Sequence, residues 1–293
     1  MSFATEPRVS LVLAVMMTAF VACTSDRAAY IDPPSYADAG PPESAFVSPE
    51  AGTGDAGPHE VECAGGEDFV YVLSKGPDAI HRFEPKTLAF SRLGYLQCPD
   101  SGTFSMAIDR YDTAWILYTS GRLFKVRLDD LRCDEIVLRG RTPELFLFGM
   151  GFSKNDSGDG ETLYLGQDGL WKVDTKTLEV GRVGATELGY TFELTGTGDG
   201  QLYGYASLNG TVLHIDKTSG QTLERHRTPA IGSSWAFAQW GGDFWLFVTS
   251  GMARSSVTRY SPTMKTSTVV IEDSGIEIVG AGSSTCVPYK PVQ

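Results

Sequence analysis

The sequence predicts an all-β protein whose folded body is a five-bladed β-propeller. Three observations support this fold. A unit of four strands recurs five times, its copies are 42 to 47 residues apart, and one spare strand remains at the C-terminus. Blades of four strands take about 40–50 residues each. The body is also rich in Gly, aromatic residues, Val, Leu and Thr, a mixture that favours strands and turns over helices.

The second strand of each unit is centred on an aromatic residue, and the third alternates apolar and polar residues up to a turn. The second strands are 69–72, 114–117, 162–165, 201–204 and 244–247. The third strands align on Phe83, Val126, Val173, Ile215 and Tyr260, with spacings of 43, 47, 42 and 45 residues. Such alternation is typical of strands covered on one face, and the Pro, Asp, Thr, Gly and Ser that follow are typical of hairpin turns.

The first strand of the unit indicates how the ring closes. Four copies precede their partner strands, at 104–107, 148–151, 192–195 and 235–238, whereas the unit that begins at Phe69 has none. A matching segment, 278–282, lies at the C-terminus. We therefore expect the C-terminal strand to complete the first blade, which leaves no open sheet edge. The small residues of these strands let them approach each other around the axis.

Four cysteines of the body predict two disulfides, because an even count in an exported chain is typical of disulfide bonding. Ring closure brings Cys286, after the closing strand, opposite Cys63, before its partner strand, and so predicts a Cys63–Cys286 bond. Cys98 and Cys133 form the remaining pair. None of the spacings resembles a CxxC zinc motif and no histidines cluster nearby, so we predict no metal.

Residues 1–22, at the N-terminus, have the layout of a signal peptide. The apolar run 11–22 follows Arg8 and is shorter than the roughly 20 residues that a membrane span needs. It ends at Ala22-Cys23, which resembles the bacterial lipoprotein cleavage box, although Phe20 stands where Leu is usual. This resemblance implies a lipid on Cys23 and export to the cell envelope, outer membrane or periplasmic side. Ordinary cleavage, which leaves Cys23 free or paired, is the alternative.

The segment 23–62 is predicted to be a disordered linker between the signal peptide and a propeller domain at 63–290. Positions 24–62 hold eight acidic residues and one basic residue, Arg27, among Pro, Gly, Ala and Ser. This composition buries too little apolar surface to offset the entropy of ordering. The whole chain has a formal net charge of −12, which argues against nucleic acid as a partner because such binding needs a basic surface.

Glu193 is the only charged residue within the short copies of the inner strand, and it is the one candidate for acid–base catalysis. Glycoside hydrolysis needs a pair of carboxylates, and Asp109, at the exit of its strand, is a poor second. A structural hydrogen bond to a neighbouring blade is the alternative role for Glu193. No Ser–His–Asp set, P-loop or dinucleotide motif is present, so no cofactor is predicted.

Two further features have a functional and a structural interpretation. Segment 155–161 resembles an EF-hand calcium loop, but it lacks the acidic twelfth position, so a hairpin turn is favoured. Trp240, in a Gln-Trp-Gly-Gly sequence, is a candidate for a binding face. Packing of Trp240 on its own hairpin is the alternative.

The chain as a whole resembles the β-propeller-type lipoproteins of myxobacteria. The resemblance rests on the Cys23 box, the Pro/Ala/Asp linker, and four phrases of the body: FSMAIDRYDTAWILYTSGRLFKV, ELTGTGDGQLYGY, WAFAQWGGDFWLF and VGAGSSTC. It implies the fold and an envelope location, and it implies no particular activity.

These features favour a non-enzymatic function. We expect a monomer that is held to a membrane by the lipid on Cys23 and acts as a binding or scaffold module for a protein or a glycan. The alternative is a glycosidase or lyase that acts at the tunnel mouth around Glu193. Fold alone does not decide between these functions.

Overall fold

The computed structural model of the protein describes residues 63–251 and 254–292. The predicted signal peptide at 1–22, the lipidation site Cys23 and the linker at 23–62 lie outside the described residues. The predicted propeller domain, 63–290, is described except for positions 252 and 253. Within this described part of the chain, no helix has the length and apolar character needed to cross a bilayer.

The described residues form twenty strands in five antiparallel sheets of four, the blades of a β-propeller. Blade 1 contains β1 (Val70–Lys75), β2 (Ala79–Glu84) and β3 (Ala89–Tyr95). Blade 2 contains β4 (Thr103–Ile108), β5 (Thr113–Tyr118), β6 (Leu123–Arg127) and β7 (Cys133–Ile136). Blade 3 contains β8 (Gly149–Lys154), β9 (Glu161–Gly166), β10 (Leu170–Val173) and β11 (Val180–Gly184). Blade 4 contains β12 (Glu193–Gly196), β13 (Leu202–Ala206), β14 (Thr211–Ile215) and β15 (Thr222–Arg227), with a 3-10 turn at Ser207–Asn209. Blade 5 contains β16 (Ser234–Trp240), β17 (Asp243–Thr249), β18 (Ser256–Ser261) and β19 (Thr266–Ile271). The last strand, β20 (Glu277–Gly282), is the fourth strand of blade 1.

The C-terminal strand closes the ring as predicted. β20 pairs antiparallel with β1, with Gly282 opposite Tyr71 and Gly280 opposite Leu73. It thereby occupies the place in blade 1 that β4, β8, β12 and β16 occupy in the other blades. The predicted five-bladed propeller is confirmed, and β1 is paired on both sides, as the second strands of the other blades are.

One turn recurs in all five blades, between the third and fourth strands. Its last residue is Leu88, Leu131, Leu178, Gly220 or Lys265, with φ between 54° and 77°. In the first four of these turns, the N–H of this residue donates to the carbonyl oxygen four residues earlier at 2.7–2.9 Å. A left-handed conformation costs a non-glycine residue about 1–2 kcal/mol. The three leucines pack against buried core residues, and this burial offsets the cost.

The hydrophobic core consists of five clusters, one in each gap between adjacent blades. The gap between blades 1 and 2, for example, buries Tyr71, Ile80, Met106 and Phe124. Because every blade packs against two neighbours, the closing strand is needed to complete two of these gaps. Burial is therefore not confined to one face of a strand: residues 70–74 of β1 and the whole of β17 are buried, because each blade lies between two others.

Both predicted disulfides are present. Cys63 bonds to Cys286 with a Cα–Cα distance of 6.2 Å, and Cys98 bonds to Cys133 with a Cα–Cα distance of 5.3 Å. The first bond joins the start of the described chain to the segment after β20. It therefore links the two termini of the ring covalently, in addition to the backbone hydrogen bonds of blade 1.

Candidate functional site

The five inner strands surround the propeller axis, and their residues are buried along most of it. We call this axis the tunnel, and a cavity of about 390 Å³ opens at the end where the strands begin. We call this space the mouth cavity. All five blades contribute to its walls, and four of the wall residues are the first residues of inner strands. The walls are formed by Lys75, Thr103, Phe104, Thr119, Leu147, Thr191, Glu193, Ser233, Ser234, Trp235, Glu277 and Val279. Its size lies in the range of roughly 300–1,000 Å³ that is typical of small-molecule sites.

Two wall residues of the mouth cavity are placed there by β-bulges. In β4, the pairing with β5 shifts between Thr103 and Ser105, so Phe104 has no partner across the strand pair. In β20, the pairing with β1 shifts in the same way and leaves Val279 as the extra residue. A bulge turns a side chain away from its regular direction and is common beside functional sites. The two bulges therefore direct Phe104 and Val279 into the cavity.

Aromatic side chains form two of the walls. Phe104 and Trp235 are half-buried, with Phe104 packed on the core between blades 2 and 3 and Trp235 on the core between blades 4 and 5. The residues that match them in sequence in blades 3 and 4, Phe148 and Phe192, are completely buried. Only part of each mouth aromatic is therefore used for packing, and the remainder faces the cavity.

Glu193 lies at the floor of the mouth cavity, with only 3% of its surface exposed. The Ser105 hydroxyl of blade 2 donates to its carboxyl group at 2.9 Å, and the Met150 N–H of blade 3 also donates to it. Burial raises the pKa of Glu193 well above its usual value, although these two hydrogen bonds act in the opposite direction. The raised pKa favours the uncharged form of the carboxyl group, and the hydrogen bond to Ser105 links blade 4 to blade 2 across the propeller axis.

The rim of the mouth cavity carries one charge of each sign. Lys75 and Glu277 lie directly opposite each other in the pairing of β1 with β20. Glu277 is an acid that the sequence pattern does not single out, because the segment that matches the other inner strands begins at Ile278. It shares the cavity with Glu193. Its position one residue before an apolar strand is the only sequence signal that could have identified it.

Asp109, considered as a second acid, lies in the turn that follows β4, at the far end of the tunnel. Its carboxyl group accepts hydrogen bonds from the N–H groups of Tyr111 and Thr113 at 2.9 and 3.0 Å and from the Trp115 indole at 3.3 Å. Burial raises its pKa. These contacts give Asp109 a role in shaping the turn, and the structure does not bring it to the cavity of Glu193.

The structure does not place Trp240, the candidate for a binding face, at the surface. Trp240 ends β16 at the far end of the tunnel and is only 5% exposed. Its indole N–H donates to the Glu67 carbonyl oxygen at 2.8 Å, and its ring packs between blades 5 and 1. The tight Gly241-Gly242 turn, in which both residues have positive φ, turns the chain back and leaves Trp240 inside the core.

The segment with a partial calcium motif is a hairpin turn between β8 and β9, as favoured above. The Asn155 N–H donates to the Gly160 carbonyl oxygen at 2.9 Å, and the Thr162 hydroxyl donates to the Asn155 side chain at 2.7 Å. In the part of the chain that the structure describes, no group of three or more His, Cys, Asp or Glu side chains is arranged to hold a metal.

The C-terminal segment 283–292 covers the end of the tunnel opposite the mouth. The Thr285 hydroxyl donates to the buried Glu161 carboxylate at 2.8 Å and accepts from the Arg110 guanidinium at 3.3 Å. The Pro288 carbonyl oxygen accepts from the Gly241 N–H at 2.6 Å and from the Gln239 amide at 2.7 Å. The segment thus contacts blades 2, 3 and 5 after leaving blade 1, so the mouth is the open end.

Fold and site together define a class: a five-bladed β-propeller with one open mouth, to which every blade contributes. No protein-family model matches the sequence, and no curated protein matches it either. A nidogen/laminin complex is similar in structure, with a TM-score of 0.49 and 12% identity over 75% of this chain and 81% of the other. Hydrazine synthase of Kuenenia stuttgartiensis gives a TM-score of 0.41 and 16% identity over 61% of this chain and 53% of the other. A streptogramin B lyase gives 0.40 and 13% over 69% of each chain.

Proposed function

We propose that this protein is a lipid-anchored binding or scaffold module of a bacterial cell envelope, which binds a protein or a glycan with the face that carries the mouth cavity. The observation that carries the proposal is the convergence of all five blades on one open cavity with half-buried aromatic walls. The signal-peptide layout and Cys23 support the envelope location. The two disulfides agree with an oxidising compartment.

The loops around the mouth cavity expose apolar side chains. Phe146, Tyr190, Leu208 and Ile231 are 47%, 77%, 73% and 54% exposed, and each lies in a loop at the mouth end of blades 2 to 5. Exposed apolar groups that surround a cavity form a surface on which a partner can pack. The loop that carries Phe146 is held in place by Arg141, whose guanidinium donates to the carbonyl oxygens of Gly121, Leu145 and Phe146 at 2.6–2.7 Å.

The binding face is tested by capture from a solubilised envelope fraction with the full chain as bait. A variant with Tyr190→Ser and Ile231→Ser removes two exposed apolar groups from the mouth face. A matched control with Tyr111→Ser and Met264→Ser removes groups that are 68% and 66% exposed at the opposite end. We expect the first variant to lose at least tenfold of the captured partner and the control to retain it. Equal capture by both variants would contradict the proposed binding face.

The anchor is tested separately with Cys23→Ser. We expect the wild-type chain to fractionate with membranes and to gain the mass of a lipid on Cys23, and the variant to appear in the soluble fraction. A wild-type chain that is soluble and carries no lipid would contradict the anchor without affecting the binding face.

A glycosidase or lyase is the second candidate function, and one observation favours it. Glu193, with its raised pKa, shares the mouth cavity with the carboxylate of Glu277, and glycoside hydrolysis uses one protonated and one ionised carboxyl group. Under the binding proposal, the wild-type chain releases no reducing ends from a polysaccharide panel. Release that is lost in both Glu193→Gln and Glu277→Gln would replace binding by catalysis.

A further inference from the structure

We propose that the mouth cavity binds the terminal sugar of an uncharged glycan, with Trp235 and Phe104 as packing surfaces and the rim groups as hydrogen-bonding partners. This inference rests on the proposed function, in which the mouth face is the binding face, and names the class of ligand that the face accepts.

The two aromatic walls flank a single blade. Trp235 belongs to blade 5 and Phe104 to blade 2, and both blades are neighbours of blade 1 in the ring. Blade 1 places Val279, Lys75 and Glu277 between them. A ligand in the cavity therefore meets an aromatic surface on two sides and one apolar, one cationic and one anionic group in the middle. Few and separate polar groups among apolar walls are the usual means of orienting a small ligand.

The remaining walls offer hydroxyl groups. Thr119 and Ser233 are exposed at the rim, and Thr191 and Ser234 are half-buried. The hydroxyls of Thr191 and Ser233 already donate to carbonyl oxygens, at 2.8 and 3.2 Å. Their oxygen lone pairs remain able to accept hydrogen bonds. Sugar hydroxyls both donate and accept, and the C–H faces of a sugar ring can pack on an aromatic side chain, so a sugar satisfies both kinds of wall.

The charge of the mouth cavity favours a neutral ligand. Lys75 and Glu277 balance each other at the rim, and the Glu193 carboxyl group at the floor is occupied by Ser105 and shielded from water. Strong recognition of a phosphate or carboxylate uses converging cationic donors, and the cavity contains one lysine. A purely apolar ligand would leave the rim charges and hydroxyls without partners, which is unfavourable. A neutral polyhydroxylated ligand needs no converging cationic donors, and its hydroxyl groups provide partners for the polar groups of the rim.

The test is calorimetric titration of the full chain with five neutral trisaccharides: β-1,4-glucose, β-1,3-glucose, α-1,4-glucose, α-1,6-mannose and β-1,4-N-acetylglucosamine. We expect at least one to bind, and Trp235→Ala and Phe104→Ala each to weaken that binding at least tenfold. Thr119→Val, an isosteric change at an exposed position, is expected to weaken it about threefold without altering folding. Tyr111→Ala, an exposed aromatic at the opposite end, serves as the control and is expected to bind as the wild type does.

Several results overturn the inference. These are no binding by any neutral trisaccharide, tighter binding of a trisaccharide with a terminal glucuronate, or binding that persists in both Trp235→Ala and Thr119→Val. If the wild-type chain binds no sugar but captures a partner that the variant with Tyr190→Ser and Ile231→Ser loses, the partner is a protein and the proposed function stands. If neither capture nor sugar binding depends on the mouth face, both proposals fail.

Discussion

The buried carboxyl group of Glu193 has a measurable effect on the pH dependence of stability. Its ordinary pKa is 4.5, and burial raises the pKa of the folded state well above this value. Between these two values the native state keeps a proton that the unfolded state has lost, so the native state binds more protons. Stability contributed by the protonated acid is therefore complete below pH 4.5 and is lost as the pH rises towards the folded-state pKa.

The perturbation is Glu193→Gln, which keeps the shape of the neutral acid and removes its titration. Each pH unit in this window costs the wild type about 1.4 kcal/mol relative to the variant. Urea unfolding of both proteins, followed by tryptophan fluorescence at pH 5, 6 and 7, gives the difference in unfolding free energy. All other titrating groups are shared and cancel in this difference. We expect it to change in favour of the variant as the pH rises, by at most about 1.4 kcal/mol per pH unit.

A difference that stays constant from pH 5 to pH 7 would refute the reasoning. It would mean that the carboxyl group of Glu193 ionises in the folded protein as readily as in the unfolded chain. The contact with Ser105 at 2.9 Å would then not describe a buried neutral acid. Ser105→Ala provides a second check on this pH dependence of the unfolding free energy. It removes one hydrogen-bond donor to Glu193 and leaves the titrating carboxyl group in place.

Three further changes test the packing of the ring. Cys63→Ser with Cys286→Ser opens a loop with a sequence separation of 223 and should lower the unfolding free energy by about 5 kcal/mol in urea titrations. Gly149→Ala places a methyl group against the Phe192 carbonyl oxygen, and calorimetry should show a loss of about 1–3 kcal/mol. Arg110→Met removes the guanidinium from the buried Glu161 carboxylate, which keeps only the Thr285 hydroxyl and the backbone N–H of residue 110 as donors. The expected loss of about 3–5 kcal/mol should shrink on acidification, and a loss independent of pH would contradict this explanation.

The fold could be predicted from the sequence because each blade repeats the same pattern of four strands and their turns. The spacing of Phe83, Val126, Val173, Ile215 and Tyr260 reflects the length of four strands and their turns, which is a local property. Ring closure could be predicted for a different reason. An unpaired first unit and a spare strand at the opposite terminus are complementary, and only a closed ring satisfies both.

The mouth cavity could be predicted from the sequence only in part, because its walls depend on contacts between blades. Phe104 and Phe148 occupy similar sequence positions, yet only Phe104 lies in a bulge and reaches the cavity. A bulge is decided by the packing of one strand pair against its neighbours, which a single segment does not reveal. Lys75 and Glu277 meet only because residues at opposite ends of the chain pair in one sheet.

Trp240 is the opposite case, because this candidate for a binding face is buried in the structure. Its Gly-Gly turn has the composition of an exposed loop, but the acceptor of its indole N–H is Glu67, a residue 173 positions away in the sequence. The contact exists only in the closed ring, where blade 5 packs against blade 1. Burial of a loop aromatic against a distant carbonyl group therefore could not be inferred from its neighbours in the sequence.

The central claim is that the C-terminal strand completes blade 1 and so builds the mouth from five blades. Peptide mapping of the non-reduced protein by mass spectrometry tests this claim most directly, because the closing strand leads straight to Cys286. The account predicts one linked peptide pair containing Cys63 and Cys286 and another containing Cys98 and Cys133. A bond from Cys286 to Cys98 or Cys133 would contradict it.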